Sequence, residues 1–259
     1  MSSPEKLISI LSVVAYLCAA LLIMRSGKRP RLGMVFLLAG ILFQGLVLHW
    51  RFTSPAGIRI DLPGVISFIA WQSMWCLGLM MYFWRVQTIL LLIIPLSALA
   101  SLGAGWWPIE VRVLKNESPE LWLHMLVAAL ALGMLELAIV QSWVIFWQNR
   151  MLRGRQLQFW LWRLPPLERM ENSLWFIMWL FFFLLSLVLI SSLWFLSSIS
   201  GQIAVAFSIT AWLLVGLLIW GHNRFGWRGS LAAFWMLGGG LMLVMAYWLG
   251  HYGHSGIKA

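Results

Sequence analysis

Five histidines are the side chains of this sequence best suited to hold a ligand: His49, His124, His222, His251 and His254. Neutral imidazole binds transition metals, and haem iron is often held that way. His49 lies in "LVLHWRF", His124 in "ELWLHML" and His222 in "LLIWGHNRFGWRGS", each where an apolar run meets polar residues. Glu136 sits deep in an apolar run, where a carboxylate is costly and suggests function by default. A protonated, hydrogen-bonded Glu136 is the plainer reading. Gln44, Gln72 and Gln141 are similarly placed and suit hydrogen bonds between helices. Cys18 and Cys76 fall in apolar runs, and no C-x-x-C or C-x-x-C-H occurs, so neither a thioredoxin-type motif nor covalent haem attachment is expected. No Walker A, H-E-x-x-H, G-x-S-x-G or EF-hand pattern is present, and no nucleophile–base pair stands out. The chain is therefore not expected to be an enzyme.

Composition determines what must position these groups. Of 259 residues, 62% are hydrophobic and 10% charged, against about a quarter charged in soluble domains. With a mean hydropathy of +0.88, the chain reads as an all-α, polytopic transmembrane bundle forming one domain over residues 1–259, with the lipid bilayer as its main partner. A span needs about 20 apolar residues to cross about 30 Å of hydrocarbon. Eight candidates are marked: Leu7–Met24, Leu32–Trp50, Val65–Trp84, Val86–Ala104, Leu121–Trp147, Leu174–Leu196, Ile203–Trp220 and Leu231–Leu249. Only Arg85 separates the third and fourth, which suggests a helical hairpin. The first run is too long for a signal h-region and lacks a basic n-region, so it reads as a retained span. The net charge of +10 sits in loops and does not indicate nucleic-acid binding.

Those loop charges set an orientation. Twelve of the eighteen basic residues, including Arg25, Lys28, Arg29 and Arg31 and the group Arg150, Arg153, Arg155, Arg163 and Arg169, follow odd-numbered spans. The positive-inside rule then places those loops in the cytoplasm and both termini in the periplasm of a bacterial inner membrane. On this topology His49 and His124 share the outer leaflet, with His251 and His254 outside. His222 stands alone at the cytoplasmic end of the seventh span, about 30 Å away, and cannot share a metal with them. Two readings of the His49–His124 pair stand side by side: polar residues at span ends, or a pair of ligands for a metal such as haem iron. The stripe His124, Ala128, Ala131 on one helix face leaves room for a planar ring and equally suits helix packing. Arg51 and Arg59 can pair with propionates or serve as loop cations.

Other features have ordinary explanations. Most of the nineteen tryptophans lie near span ends, where indole suits the interface. Trp71 and Trp75 share a face of the third span, as packing or as a wall for a flat ligand. Small residues in the fifth span (Ala129, Gly133) and the eighth (Gly238, Gly239, Gly240) suit close helix packing. Ser118-Pro119 reads as a helix start, Asn172 as a cap, and Leu157–Asn172 as an interfacial linker.

The segment "LPPLERMENSLWF" with "IWGHNRFGWRG", that is Pro165, Pro166, Leu167 and Glu171, then Trp220, Gly221, His222, Gly226, Trp227, Arg228 and Gly229, resembles the cytochrome c assembly membrane protein family, in its HemX-like, YpjD-type bacterial inner-membrane branch. The eight-span layout and outside N-terminus are similar too, and His49 and His124 match the family's histidines at the end of the second span and the start of the fifth. The resemblance implies haem handling, in cytochrome c assembly or regulation of haem synthesis. Haem-presenting members carry an outer W-G-x-x-W-x-W-D segment; "GWWPIE", Gly105–Glu110, does not fit it, and the HemX-like branch generally lacks it.

The expectation is a haem-binding membrane protein acting in cytochrome c assembly or haem homeostasis. His49 and His124 would be the haem ligands, His222 a second, cytoplasmic-side contact or hinge, and other haem-handling membrane proteins the partners. The alternative is a permease component or accessory for a small solute or metal ion, favoured by Glu136, Gln44 and Gln72. The topology is testable with alkaline phosphatase fusions: activity is expected after Arg51 and none after Arg155, and the reverse pattern would invert the assignment.

Overall fold

The computed structural model describes residues 3–25, 31–54, 57–83, 87–107, 112–114, 119–153, 166–193, 199–227, 235–236, 238–240, 242–243 and 245. Helices follow the apolar runs: α1 Ser3–Arg25, α2 Arg31–Phe52, α3 Leu62–Phe83, α4 Gln87–Trp106, α5 Pro119–Arg153, α6 Leu167–Ser192 and α7 Ile199–Phe225. Six contain segments long and apolar enough to cross a membrane, and α3 holds a shorter apolar segment, Leu62–Gly78. The chain is a polytopic helical membrane protein. Most of the expected eighth span, the linker residues 157–165, Arg85, Ser118, His251 and His254 lie outside the described residues.

The helices begin earlier or end later than hydropathy alone indicates. α5 starts on Pro119, a residue already set for the first helical position. α6 corrects two expectations. It begins at Leu167, with Pro166 preceding it at φ −54° and ψ 136°, so Asn172 lies inside the helix, exposed, and caps nothing. The linker expected to reach Asn172 is therefore helical from Leu167 onward. Proline restrains the residue before it to extended backbone, which is why the break falls at the proline pair.

Helices are not the whole of the structure. Three short strands, β1 Thr53–Ser54, β2 Gly57–Ile60 and β3 Arg112–Leu114, form an antiparallel sheet in the order β1-β2-β3, with Thr53 opposite Ile58 and Ile60 opposite Arg112. They join the loop after α2 to the loop before α5. Isolated pieces of two to four residues carry no readable alternation, so the sequence pattern did not mark them.

The chain divides into two compact units, Met1–Ser118 and Pro119–Ala259. In the first, α1 packs on α2 and α4, and α3 on α2 and α4. Buried polar groups tie these helices together. Tyr16 donates its hydroxyl to Gln44 Oε1 at 2.6 Å, and Gln44 Nε2 donates to the Ser67 carbonyl and hydroxyl at 3.1 and 3.0 Å. Trp71 Nε1 donates to the Ile41 carbonyl at 2.8 Å, so Trp71 ties α3 to α2, while Trp75 is exposed. Lys6 stacks over the Trp106 ring at 4.9 Å, bringing the start of α1 to the end of α4. In the second unit α6 packs on α5 and α7. Gln141 donates to the Met170 carbonyl at 2.6 Å and to the Ser173 hydroxyl. A Cβ on Gly240 would touch Leu135 and Ile139 of α5, whereas one on Gly238 would meet nothing within 4 Å, so close packing holds at Gly240 and not at Gly238.

Gly40 makes the α1–α2 contact possible. A Cβ there would lie 2.7 Å from the ring of Tyr16, which is fully buried. A rigid ring cannot move aside cheaply, so Gly40→Ala is expected to destabilise the protein by about 1–3 kcal/mol. Gly78→Ala, which meets nothing within 4 Å, is expected to cost nothing. Thermal unfolding in detergent, followed by tryptophan fluorescence, compares the two.

Candidate functional site

Of the histidines singled out above, His49 lies beside a polar cluster in the first unit, and His124 and His222 lie at separate places in the second. In the first unit the final turn of α2 carries His49 and Arg51. Arg51 Nε donates to Asp61 Oδ1 at 2.9 Å, its Nη2 donates to the Trp107 carbonyl at 2.9 Å, and its Nη1 donates to the Ala104 carbonyl. Asp61 Oδ1 also accepts the Gly64 amide at 2.7 Å, capping the start of α3. The two charged side chains are 9% and 2% exposed. One guanidinium thus neutralises the carboxylate at the start of α3 and satisfies carbonyls at the end of α4, where a cation is favoured.

Arg51 therefore behaves neither as a loop cation nor as a propionate partner; its fork is committed within the protein. Arg59, on β2, is exposed. His49 is exposed too, and its carbonyl accepts the Thr53 hydroxyl at 2.6 Å. The sequence reading missed the Arg51–Asp61 pair, although a signal existed: Asp61 is the only aspartate in the chain.

In the second unit His124 projects from the second turn of α5 and is half-buried. Its Nδ1 lies 2.7 Å from the Ser191 hydroxyl near the end of α6, and that hydroxyl lies 3.0 Å from the Val188 carbonyl. One turn and two turns further along α5, Ala128 is half-buried and Ala131 buried. Glu136 is half-buried on the same helix.

His222 sits at the other end of α6. Its ring stacks on Trp175, with centroids 3.5 Å apart and planes at 16°, and its Nδ1 donates to the Trp227 carbonyl at 2.8 Å. The "GHNRFGW" motif is a helix stop. Gly226 takes φ +65° and donates its amide to the His222 carbonyl at 3.0 Å, the left-handed glycine cap. The chain then turns back so that Trp227 covers Gly221, where a Cβ would lie 2.3 Å from the indole. Trp175, near the start of α6, is buried and forms the platform for His222.

These observations place His124 and His222 at opposite ends of the second unit and His49 in the first. Among the described residues no group of three or more His, Cys, Asp or Glu side chains is arranged to hold a metal ion. A single imidazole can still be one axial ligand to a metal already held in a macrocycle.

The chain is similar to the inner membrane protein YpjD of Escherichia coli (strain K12). The two are 24% identical over 251 residues, spanning 92% of this chain and 94% of the relative. The same protein in E. coli O6:H1 and O157:H7 matches equally. No family model and no solved structure matches. The relative and the apolar helices together support a multi-pass inner-membrane location. The relative's name gives a location and no activity.

The Arg51 cluster predicts a clear contrast. Removing one member of a buried pair strands the other charge, so Arg51→Ala is expected to cost about 3–5 kcal/mol. Arg59→Ala is expected to stay within about 0.5 kcal/mol. Unfolding midpoints of the two purified variants test this, and equal midpoints would contradict it.

Proposed function

We propose that this chain binds haem non-covalently through histidine, without covalent chemistry of its own, and acts in cytochrome c assembly or haem homeostasis. The observation that carries the reading is His124, a half-buried imidazole anchored at one ring nitrogen by a hydroxyl on a neighbouring helix. Histidines that ligate metals are commonly held in this way. The donor fits haem iron, for which neutral imidazole is a natural ligand, and Ala128 and Ala131 keep the helix face beside it small.

His49 is the second imidazole of the proposal, on sequence grounds. Alternating spans put the end of the second and the start of the fifth on one side of the bilayer, the periplasmic side by the distribution of Lys and Arg. His222 has a structural task as the residue that closes the cap of α7, and a contact with ligand there is secondary. When bound, haem supplies iron and its redox chemistry; the chain supplies nitrogen ligands, their orientation and a low-dielectric surround. The resemblance to the HemX-like branch supports the same reading. Other haem-handling membrane proteins are the partners it implies.

The permease alternative loses part of its support. Gln44 was one of its three residues, and its amide is fully engaged with Tyr16 and Ser67. Glu136 stays with that reading.

Haemin titration of the purified protein in detergent tests the proposal. The wild type is expected to saturate, and His124→Ala to weaken binding at least tenfold, about 1.4 kcal/mol. His49→Ala is expected to weaken it as well, while Glu136→Gln leaves it unchanged. Saturable binding indifferent to both histidines would contradict the site.

A further inference from the structure

One face of the first unit carries aromatic rings that its packing does not use up. On α2, Gly45, His49 and Phe52 follow one another at helical spacing and share a face. On α3, Phe68, Trp71 and Trp75 do the same. The two faces meet. The Trp71 indole lies over Gly45, where a Cβ would be 3.2 Å from its nitrogen, and the rings of Phe52 and Phe68 stand 6.2 Å apart. The stripe continues from Phe68 to Trp71 at 5.8 Å and from Trp71 to Trp75 at 6.3 Å. From the level of His49 to that of Trp75 it runs about 12 Å along the helix axes. Its members are not equally occupied. Trp71 is committed, because its Nε1 donates to the Ile41 carbonyl. Trp75 meets Trp71 edge to face at 88° and is 37% exposed. At the other end His49 is exposed, and among the described residues its imidazole has no hydrogen-bond or ring partner. β1 follows α2 directly and pairs with β2, so Arg59 of β2 belongs to the same end of the unit. Arg59 is exposed and in no ion pair among the described residues, whereas Arg51 is taken by Asp61.

We propose that this stripe is the surface against which the haem macrocycle lies, with Trp75 on its apolar edge, His49 facing the iron and Arg59 meeting a propionate. The iron in this statement rests on the haem reading above; the class of ligand, a flat apolar ring with carboxylates at one edge, rests on the stripe. Ring surface toward the middle of the helices, an imidazole one turn before the helix end and a spare cation beyond it follow the order in which such a ligand carries its own groups. Indole offers a flat ligand a large contact at little cost in side-chain freedom, and guanidinium matches a carboxylate bidentately. Trp71 has the supporting part: held by the Ile41 carbonyl, it fixes the edge on which Trp75 rests.

The test titrates the full-length protein in lipid nanodiscs with haemin and, separately, with protoporphyrin IX, which has the same ring and carboxylates and no iron. The variants are Trp75→Leu, Arg59→Gln and His49→Ala, with Trp179→Leu, an exposed tryptophan of the second unit, as control. Trp75→Leu is expected to weaken both ligands about three- to tenfold, the usual worth of an aromatic contact, and Arg59→Gln about two- to fivefold. His49→Ala is expected to weaken haemin and to leave protoporphyrin IX at its wild-type affinity, because only the iron takes a ligand. Trp179→Leu is expected to match wild type with both. Trp75 and Arg59 are exposed, so unfolding midpoints of their variants are expected to stay at the wild-type value, which separates a lost contact from a lost fold. Saturable haemin binding unchanged in Trp75→Leu and Arg59→Gln overturns the stripe as the site and leaves the haem reading standing. Protoporphyrin IX binding that depends on Trp75 and Arg59, beside haemin binding indifferent to His49, supports the stripe as a flat-ligand site and overturns His49 as its iron ligand. Saturable binding of neither ligand overturns both.

Discussion

Water is missing from the middle of a bilayer, so every polar atom there must be satisfied by the protein itself. That constraint organises this chain more than any single contact. Gln44 joins α1, α2 and α3 because both halves of its amide need partners. Gln141 joins α5 to α6 through its Nε2 alone, which donates to the Met170 carbonyl and the Ser173 hydroxyl, while its buried Oε1 has no partner among the described residues. Arg51 collects a carboxylate and two carbonyls because a guanidinium at a span end is costly with fewer. Apolar packing contributes little direction between helices already surrounded by lipid, whereas hydrogen bonds and close contacts such as Gly40 on Tyr16 select one arrangement.

The same constraint separates the histidines. His222 and His124 are both held at Nδ1, but by different means. His222 is locked by a backbone carbonyl and an indole face within a helix cap, so its role follows from the glycine and tryptophan around it. His124 is held by a side-chain hydroxyl across a helix interface. α6 carries both partners, Trp175 near its start and Ser191 near its end, sixteen residues or about 24 Å apart along the axis.

How much of this was legible depends on how local each signal is. Span order follows from long apolar runs, which the bilayer requires: seven of the eight expected spans coincide with helices α1 to α7, six of which hold segments long and apolar enough to cross, and the eighth lies mostly outside the described residues. The interhelical role of Gln44 and Gln141 followed from one fact, a polar amide in hydrocarbon. The start of α6 was misplaced because an interfacial helix can be rich in Arg and Glu, and hydropathy does not register it. Arg51 was misread because its partner is ten residues away across a hairpin and its other acceptors are backbone carbonyls, which have no sequence signature. Ser191 was invisible for the same reason: one serine among several in "LVLISSLWF" becomes special only when a second helix brings an imidazole to it. His124 was found because histidine is rare in such a chain and its chemistry is distinctive.

The central proposal is that His124, with His49 as a second imidazole on sequence grounds alone, ligates haem iron, and electron paramagnetic resonance at low temperature on the protein loaded with one equivalent of haemin tests it most directly. The account gives a low-spin ferric signal of the bis-imidazole type in the wild type, converting to high-spin iron when either histidine is replaced by alanine. A wild-type signal that remains that of free haemin in detergent would contradict it.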